Sequence, residues 1–199
     1  IWLLFNFQAV TDWWGLYGYE PNPSISSLAT DSSMSNEGRH LFYVYHPDLL
    51  DKQSFQGKCT TTEETIVLGC YLSDDKIYIF DVNDPRLEGV KQVTAAHEML
   101  HAAYDRIPGS EKSILDDQLV AYYESLNNER LNTTIDNYRK RDPSVVPNEL
   151  HSILGTEYRN IPAKLEEHYA KYFDDRSIVV TLSEAYDSEF TQREDQIKV

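Results

Sequence analysis

The spacing of hydrophobic positions changes once along the chain. Up to about residue 82 they fall in short runs rich in β-branched and aromatic side chains: LFYVY at 41–45, TIVLGCY at 65–71 and KIYIFDV at 76–82. Such runs predict strands, and Ser73, Asp74 and Asp75 between the last two predict a hairpin turn. From Val90 onward the spacing becomes helical and stays so. It predicts helices over 90–106, 111–127, 130–140, 145–158, 162–173 and 177–195, with breaks at Pro108-Gly109, Asp142-Pro143 and Ile161-Pro162. There is no internal repeat. A small N-terminal β-sheet followed by a helical C-terminal part is an α+β arrangement.

The first 20 residues stand apart. IWLLFNFQAV is too short to span a bilayer, which takes about 20 apolar residues. It leads into Trp13, Trp14, Tyr17 and Tyr19, a cluster that resembles an interfacial aromatic belt. Segment 1–20 therefore reads as membrane-proximal, the end of a truncated transmembrane helix or signal anchor, with a buried N-terminal helix as the other reading. Residues 21–36, rich in Pro, Ser and Asn, read as a linker, and 37–199 as the globular domain.

Composition narrows the class. The 199 residues carry 33 acidic and 18 basic side chains, a net charge of −15, with 41% hydrophobic residues and 14 tyrosines. That is too apolar for a disordered acidic tail. It also lacks the clustered Lys and Arg that nucleic-acid phosphates require, so no nucleic-acid partner is expected. Cys59 and Cys70 are too few for a metal site of their own, and no His lies between them. They are either a disulfide, which implies an extracytoplasmic compartment, or two unrelated buried thiols.

One motif carries chemistry. AAHEMLHAA at 95–103 contains HExxH, formed by His97, Glu98 and His101, and a chain with only 6 histidines rarely produces it by coincidence. On a helix, positions i and i+4 share a face, so both imidazoles can grip one metal ion. Glu98 projects sideways from that pair, where a carboxylate can take a proton from a water activated by the metal. Val93, Ala96, Leu100 and Tyr104 share the histidine face and direct it inward. The bland reading is a pair of packed histidines satisfied by hydrogen bonds.

A third ligand has three candidates on PNELHSILGTEY at 147–158. Glu157 falls in the middle of the apolar stripe of Val146, Leu150, Ile153 and Leu154, which favours it on burial. Glu149 shares a face with Ser152, Ile153 and Thr156, and small residues there would allow close approach of the HExxH helix. His151 points away from both faces and suits a rim position better.

His97-Glu98-Met99-Leu100-His101, followed by Asn148-Glu149-Leu150-His151-Ser152, resembles the gluzincin zinc metallopeptidases, the thermolysin-like group. The resemblance covers two short motifs. It implies a zincin-like fold, with one Zn²⁺ held by His97, His101 and Glu149 and with Glu98 as general base in peptide-bond hydrolysis. It also implies a peptide or protein substrate, while the N-terminal segment and the two cysteines carry the expectation of an extracytoplasmic, membrane-anchored setting. Ile153 departs from the family pattern, which often places there an Asp that orients a ligand His. Strand 76–82 is either an open edge that pairs with an extended peptide or an ordinary core strand. His40, His46 and His168 read as surface or loop histidines. Tyr122, Tyr123, Tyr158, Tyr169 and Tyr172 read as packing between helices, unless one of them, or His151, serves an oxyanion. Two rivals keep the sequence features without turnover: a cell-surface binding or scaffold domain on the same fold, and a metal-free helical module.

Overall fold

The computed structural model describes residues 7–59, 68–72 and 76–197. Three helices come first: α1 (Phe7–Leu16), α2 (Pro23–Asp31) and α3 (Asn36–Val44). Then follow β1 (Asp48–Leu50), the short α4 (Lys52–Gln56), β2 (Gly69–Leu72) and β3 (Lys76–Phe80). The rest is helical: α5 (Val90–Asp105), α6 (Gly109–Ser125), α7 (Glu129–Arg141), α8 (Val146–Glu157), α9 (Ala163–Tyr169) and α10 (Arg176–Ile197). The fold is α+β and mostly helical, with a small three-stranded sheet.

Two expectations fail in the N-terminal third. LFYVY forms the end of α3 and not a strand. Ser35 caps this helix by accepting from the Gly38 N–H at 3.1 Å, and Leu41 and Phe42 are buried in the core. Strand preference depends on what a side chain packs against, and here a helix face was needed. The stretch 21–36 is not a linker either. Asn22 accepts from the Ile25 N–H at 3.0 Å, Pro23 occupies the first turn, and Ile25, Leu28, Ala29 and Met34 are all core residues. Helices thus precede the sheet as well as follow it.

In the sheet the order is β1-β3-β2, with β1 parallel and β2 antiparallel to β3. Strand β3 is central, so KIYIF is a core strand and offers no open edge; Ile77, Tyr78 and Ile79 are buried. Residues 65–67 of the expected strand and the turn 73–75 lie outside the described residues. Cys59 and Cys70 form a disulfide, with Cα atoms 5.9 Å apart, that ties the turn after α4 to β2. Among the described residues no helix is long and apolar enough to cross a membrane.

Helix α5 runs through the centre. Val93, Ala95, Ala96, Met99, Leu100, Ala102 and Ala103 are all buried, so most of the helix surface is covered, as expected of a helix packed on several sides. The sheet covers one side, α2 and α3 another, and α8 and α10 the rest. Gly155 of α8 makes the closest approach: a Cβ there would stand 2.5 Å from Leu100 Cδ1 and 2.7 Å from Tyr169 Cε1. That close packing holds the C-terminal end of α8 against the HExxH helix.

Candidate metal centre

His97 and His101 lie one turn apart on α5, with ring centroids 4.7 Å apart. Glu149, in the first turn of α8, faces both. Its Oε2 is 4.0 Å from His97 Nε2 and 3.9 Å from His101 Nε2. One ligand atom from each of the three lies within 4.8 Å of the others, a spacing that can hold a metal ion. Glu149 Oε2 is buried and has no hydrogen-bond partner. A buried carboxylate oxygen left in that state costs free energy unless a cation satisfies it. Two imidazole nitrogens and this oxygen make a donor set that suits a divalent ion, so the residues fit the group.

The supports agree with that fit. With Nδ1 carrying its proton, His101 donates to Asn148 Oδ1 at 2.9 Å, and Ser152 Oγ lies 3.2 Å from the same nitrogen. Holding Nδ1 in this way turns the Nε2 lone pair toward Glu149. Asn148 therefore does from α8 what Ile153 has no polar group to do. Burial pushes the His97 imidazole well below its usual range, with the nearby His101 adding to the effect, so His97 is neutral and able to ligate. The three side chains keep 20%, 13% and 15% of their surface, enough for a small ion or water to reach them.

Glu98 takes a different direction. Its side chain is 5% exposed and lies against β2. A Cβ on Gly69 would come within 2.7 Å of Glu98 Oε1 and 2.9 Å of its Cγ, so only glycine leaves room for this carboxylate. Burial, with Glu149 adding to it, raises its pKa to about 7; His101 and a hydrogen bond from the Tyr71 backbone N–H pull the other way. Tyr138 on α7 stands beside both acids. Burial and the charges of Glu149 and Glu98 raise its hydroxyl pKa well above the usual value, so it keeps its proton.

The remaining candidates go elsewhere. His151 is not a rim residue: it is fully buried, and its Nε2 lies 2.8 Å from His168 Nε2. Glu157 sits at the far end of α8, near Arg130 and Asp187, and burial raises its pKa to about 7. His40, His46 and His168 are half-buried, bonded respectively to Asp12, the Gly15 carbonyl and His151. Of the expected packing tyrosines, Tyr169 is fully buried and donates to the His151 carbonyl at 2.7 Å, while Tyr122 hydrogen-bonds the Asn160 carbonyl. A glycine inside a strand-like run was the one available signal for Gly69. Nothing distinguished Tyr138 among 14 tyrosines. A cavity of about 460 Å³ opens between α1, α3 and α5, lined in part by Asp12, His40, Arg106, Glu111, His168 and Lys171; it shares no residue with the triad. No family model, curated protein or solved structure matches the chain.

Proposed function

We propose that the protein is a zinc-dependent peptidase with a zincin-like arrangement of the HExxH helix against an edge of its small sheet. The observation that carries the reading is the unbonded, buried Glu149 Oε2 held between two imidazole nitrogens, with a second carboxylate, Glu98, near enough for the charges of Glu149 and His101 to act on it. A Zn²⁺ ion held by His97, His101 and Glu149 supplies a Lewis acid that polarises a carbonyl and brings the pKa of water toward about 7.

The chain's own part of the reaction falls to Glu98. Its carboxylate accepts a proton from the attacking water and returns that proton to the amine nitrogen as the C–N bond breaks. A group raised to about 7 suits both halves of this exchange, since it gains and loses a proton at little cost near neutral pH. The Tyr71 N–H holds the carboxylate in place, and Tyr138, which keeps its proton, hydrogen-bonds the neighbouring Glu149. The Cys59–Cys70 disulfide supports an oxidising, extracytoplasmic setting.

The test is metal analysis joined to a cleavage assay. Protein purified without chelator should carry about one zinc per chain. It should cleave an unstructured protein such as casein, lose that activity on chelation and regain it with zinc. Protein that takes up no zinc from zinc-supplemented buffer would overturn the reading.

A further inference from the structure

Helix α1 is built inside out for a helix facing water. Its inward side presents Asp12, which is 6% exposed and receives both arms of the Arg106 guanidinium at 2.7 and 2.9 Å, with His40 at 3.2 Å. Its outward side presents Phe7, Trp13 and Trp14, joined by Tyr17 in the turn that follows, at 70%, 60%, 69% and 73% exposure. At about 100° per residue these four fall within an arc of about 120°, opposite Asp12. Three of the rings are in contact, with Trp13 6.0 Å from Trp14 and 5.4 Å from Tyr17. Apart from these four, only Ile114 and Ile178 among the large hydrophobics described are exposed. A surface helix normally does the reverse.

We propose that this aromatic face docks the protein on the headgroup region of an uncharged lipid bilayer. Three observations favour a bilayer over a protein. The side chains are mainly Trp and Tyr, flat rings with one polar atom, which settle where apolar chains meet water. In the first 19 residues the only charged side chain is Asp12, which is neutralised internally, so the face is uncharged on a chain of net charge −15. Lipid without net charge tolerates that approach, whereas an anionic surface repels the rest of the molecule. The area is also small. Four rings exposed to this degree offer roughly 400–700 Å², short of the roughly 800 Å² per partner of a stable protein interface.

Docking would also orient the metal centre. Arg106, which binds Asp12, directly follows α5, and His46 Nε2 lies 2.6 Å from the Gly15 carbonyl, so the second half of α1 is fastened at two points to the body that carries His97 and His101. The inference does not depend on the peptidase reading.

The three tryptophans are Trp2, Trp13 and Trp14, so selectively excited tryptophan emission reports the N-terminal part of the chain alone. Adding phosphatidylcholine vesicles to the full chain should shift the emission to the blue and carry the protein into the vesicle pellet. Replacing a third of the lipid with phosphatidylserine should weaken binding at low salt, and added salt should restore it. The triple variant W13S/W14S/Y17S, checked for a native circular-dichroism spectrum, should partition roughly tenfold less or lower still; W14S alone should fall between. Wild-type protein left in the supernatant with unshifted emission overturns the proposal, as does a triple variant that binds equally well. A concentration-dependent dimer that the variant abolishes, without vesicle binding, assigns the face to a second copy and overturns it too.

Discussion

The two ends of helix α8 each carry a shielded glutamate, and the two have different work. Glu149, in the first turn, faces two imidazole nitrogens at 4.0 and 3.9 Å and leaves one oxygen unbonded. Glu157, in the last turn, faces one arginine and one aspartate, and its carboxyl is raised to about 7. A helical wheel ranks Glu157 as the more buried acid, and its raised pKa agrees. Burial alone, however, does not make a ligand. What separates the two is the convergence of two imidazole nitrogens on one point, together with supports such as Asn148 that orient the His101 ring. The N-terminal position of Glu149 adds to this, because the unpaired N–H groups of the first turn favour an anion there and not at the other end.

The largest effect expected concerns neither end of α8 but the acid beside the triad. Glu98→Gln keeps the volume and the helix and removes only the proton acceptor. Cleavage should fall by about 10²–10⁴, with zinc content unchanged; full activity in this variant would remove the general base from the mechanism. Next comes the comparison itself. Glu149→Gln should lose zinc on dialysis against a mild chelator, and Glu157→Gln should keep it. The reverse result would exchange the roles of the two ends. Asn148→Ala should lie between these, weakening zinc affinity by about 10- to 100-fold through the orientation of His101, measured by competition with a chelating dye.

How much of this was legible in the sequence depends on the range of each interaction. His97, Glu98 and His101 are set by a spacing within one helix, so the motif gives their relation directly. Glu149 needs the mutual position of α5 and α8. The Asn148-Glu149 and Ser152 pattern indicated it, whereas the Gly155 contact that fixes the approach shows only in three dimensions. The N-terminal third misled for a different reason. Pro, Ser and Asn suggest a linker when counted, yet Asn22, Pro23, Ile25, Leu28 and Ala29 stand in the order of a cap, a first turn and a buried stripe. The aromatic and β-branched side chains of LFYVY suit a strand by preference and a helix by packing, and packing prevailed. Tyr138 and the His151–His168 pair involve segments far apart in the chain, and no local pattern marks them.

The smallest effect concerns stability at the Glu157 end. Its pKa is raised from the ordinary carboxylate range to about 7 by burial, so the fold favours the protonated form. The sign follows by linkage: the folded state binds a proton that the unfolded chain releases at lower pH. The stabilisation is therefore fully present at about pH 4 and is lost as pH rises through about 7. The loss should be on the order of 1–3 kcal/mol, since Arg130 opposes it. Glu98 has a raised pKa in the same window, so the measurement belongs in an E98Q background. Urea unfolding at pH 5 and pH 8 should show E98Q losing stability at pH 8 relative to the E98Q/E157Q variant. The difference between the two isolates Glu157, because the neutral His97, His151 and His168 move both variants alike in the opposite direction. A difference between the two variants that does not change from pH 5 to pH 8 would mean that Glu157 is held charged by Arg130. In that case the two ends of α8 would be alike in keeping an anion, and only the partner, guanidinium or metal, would tell them apart.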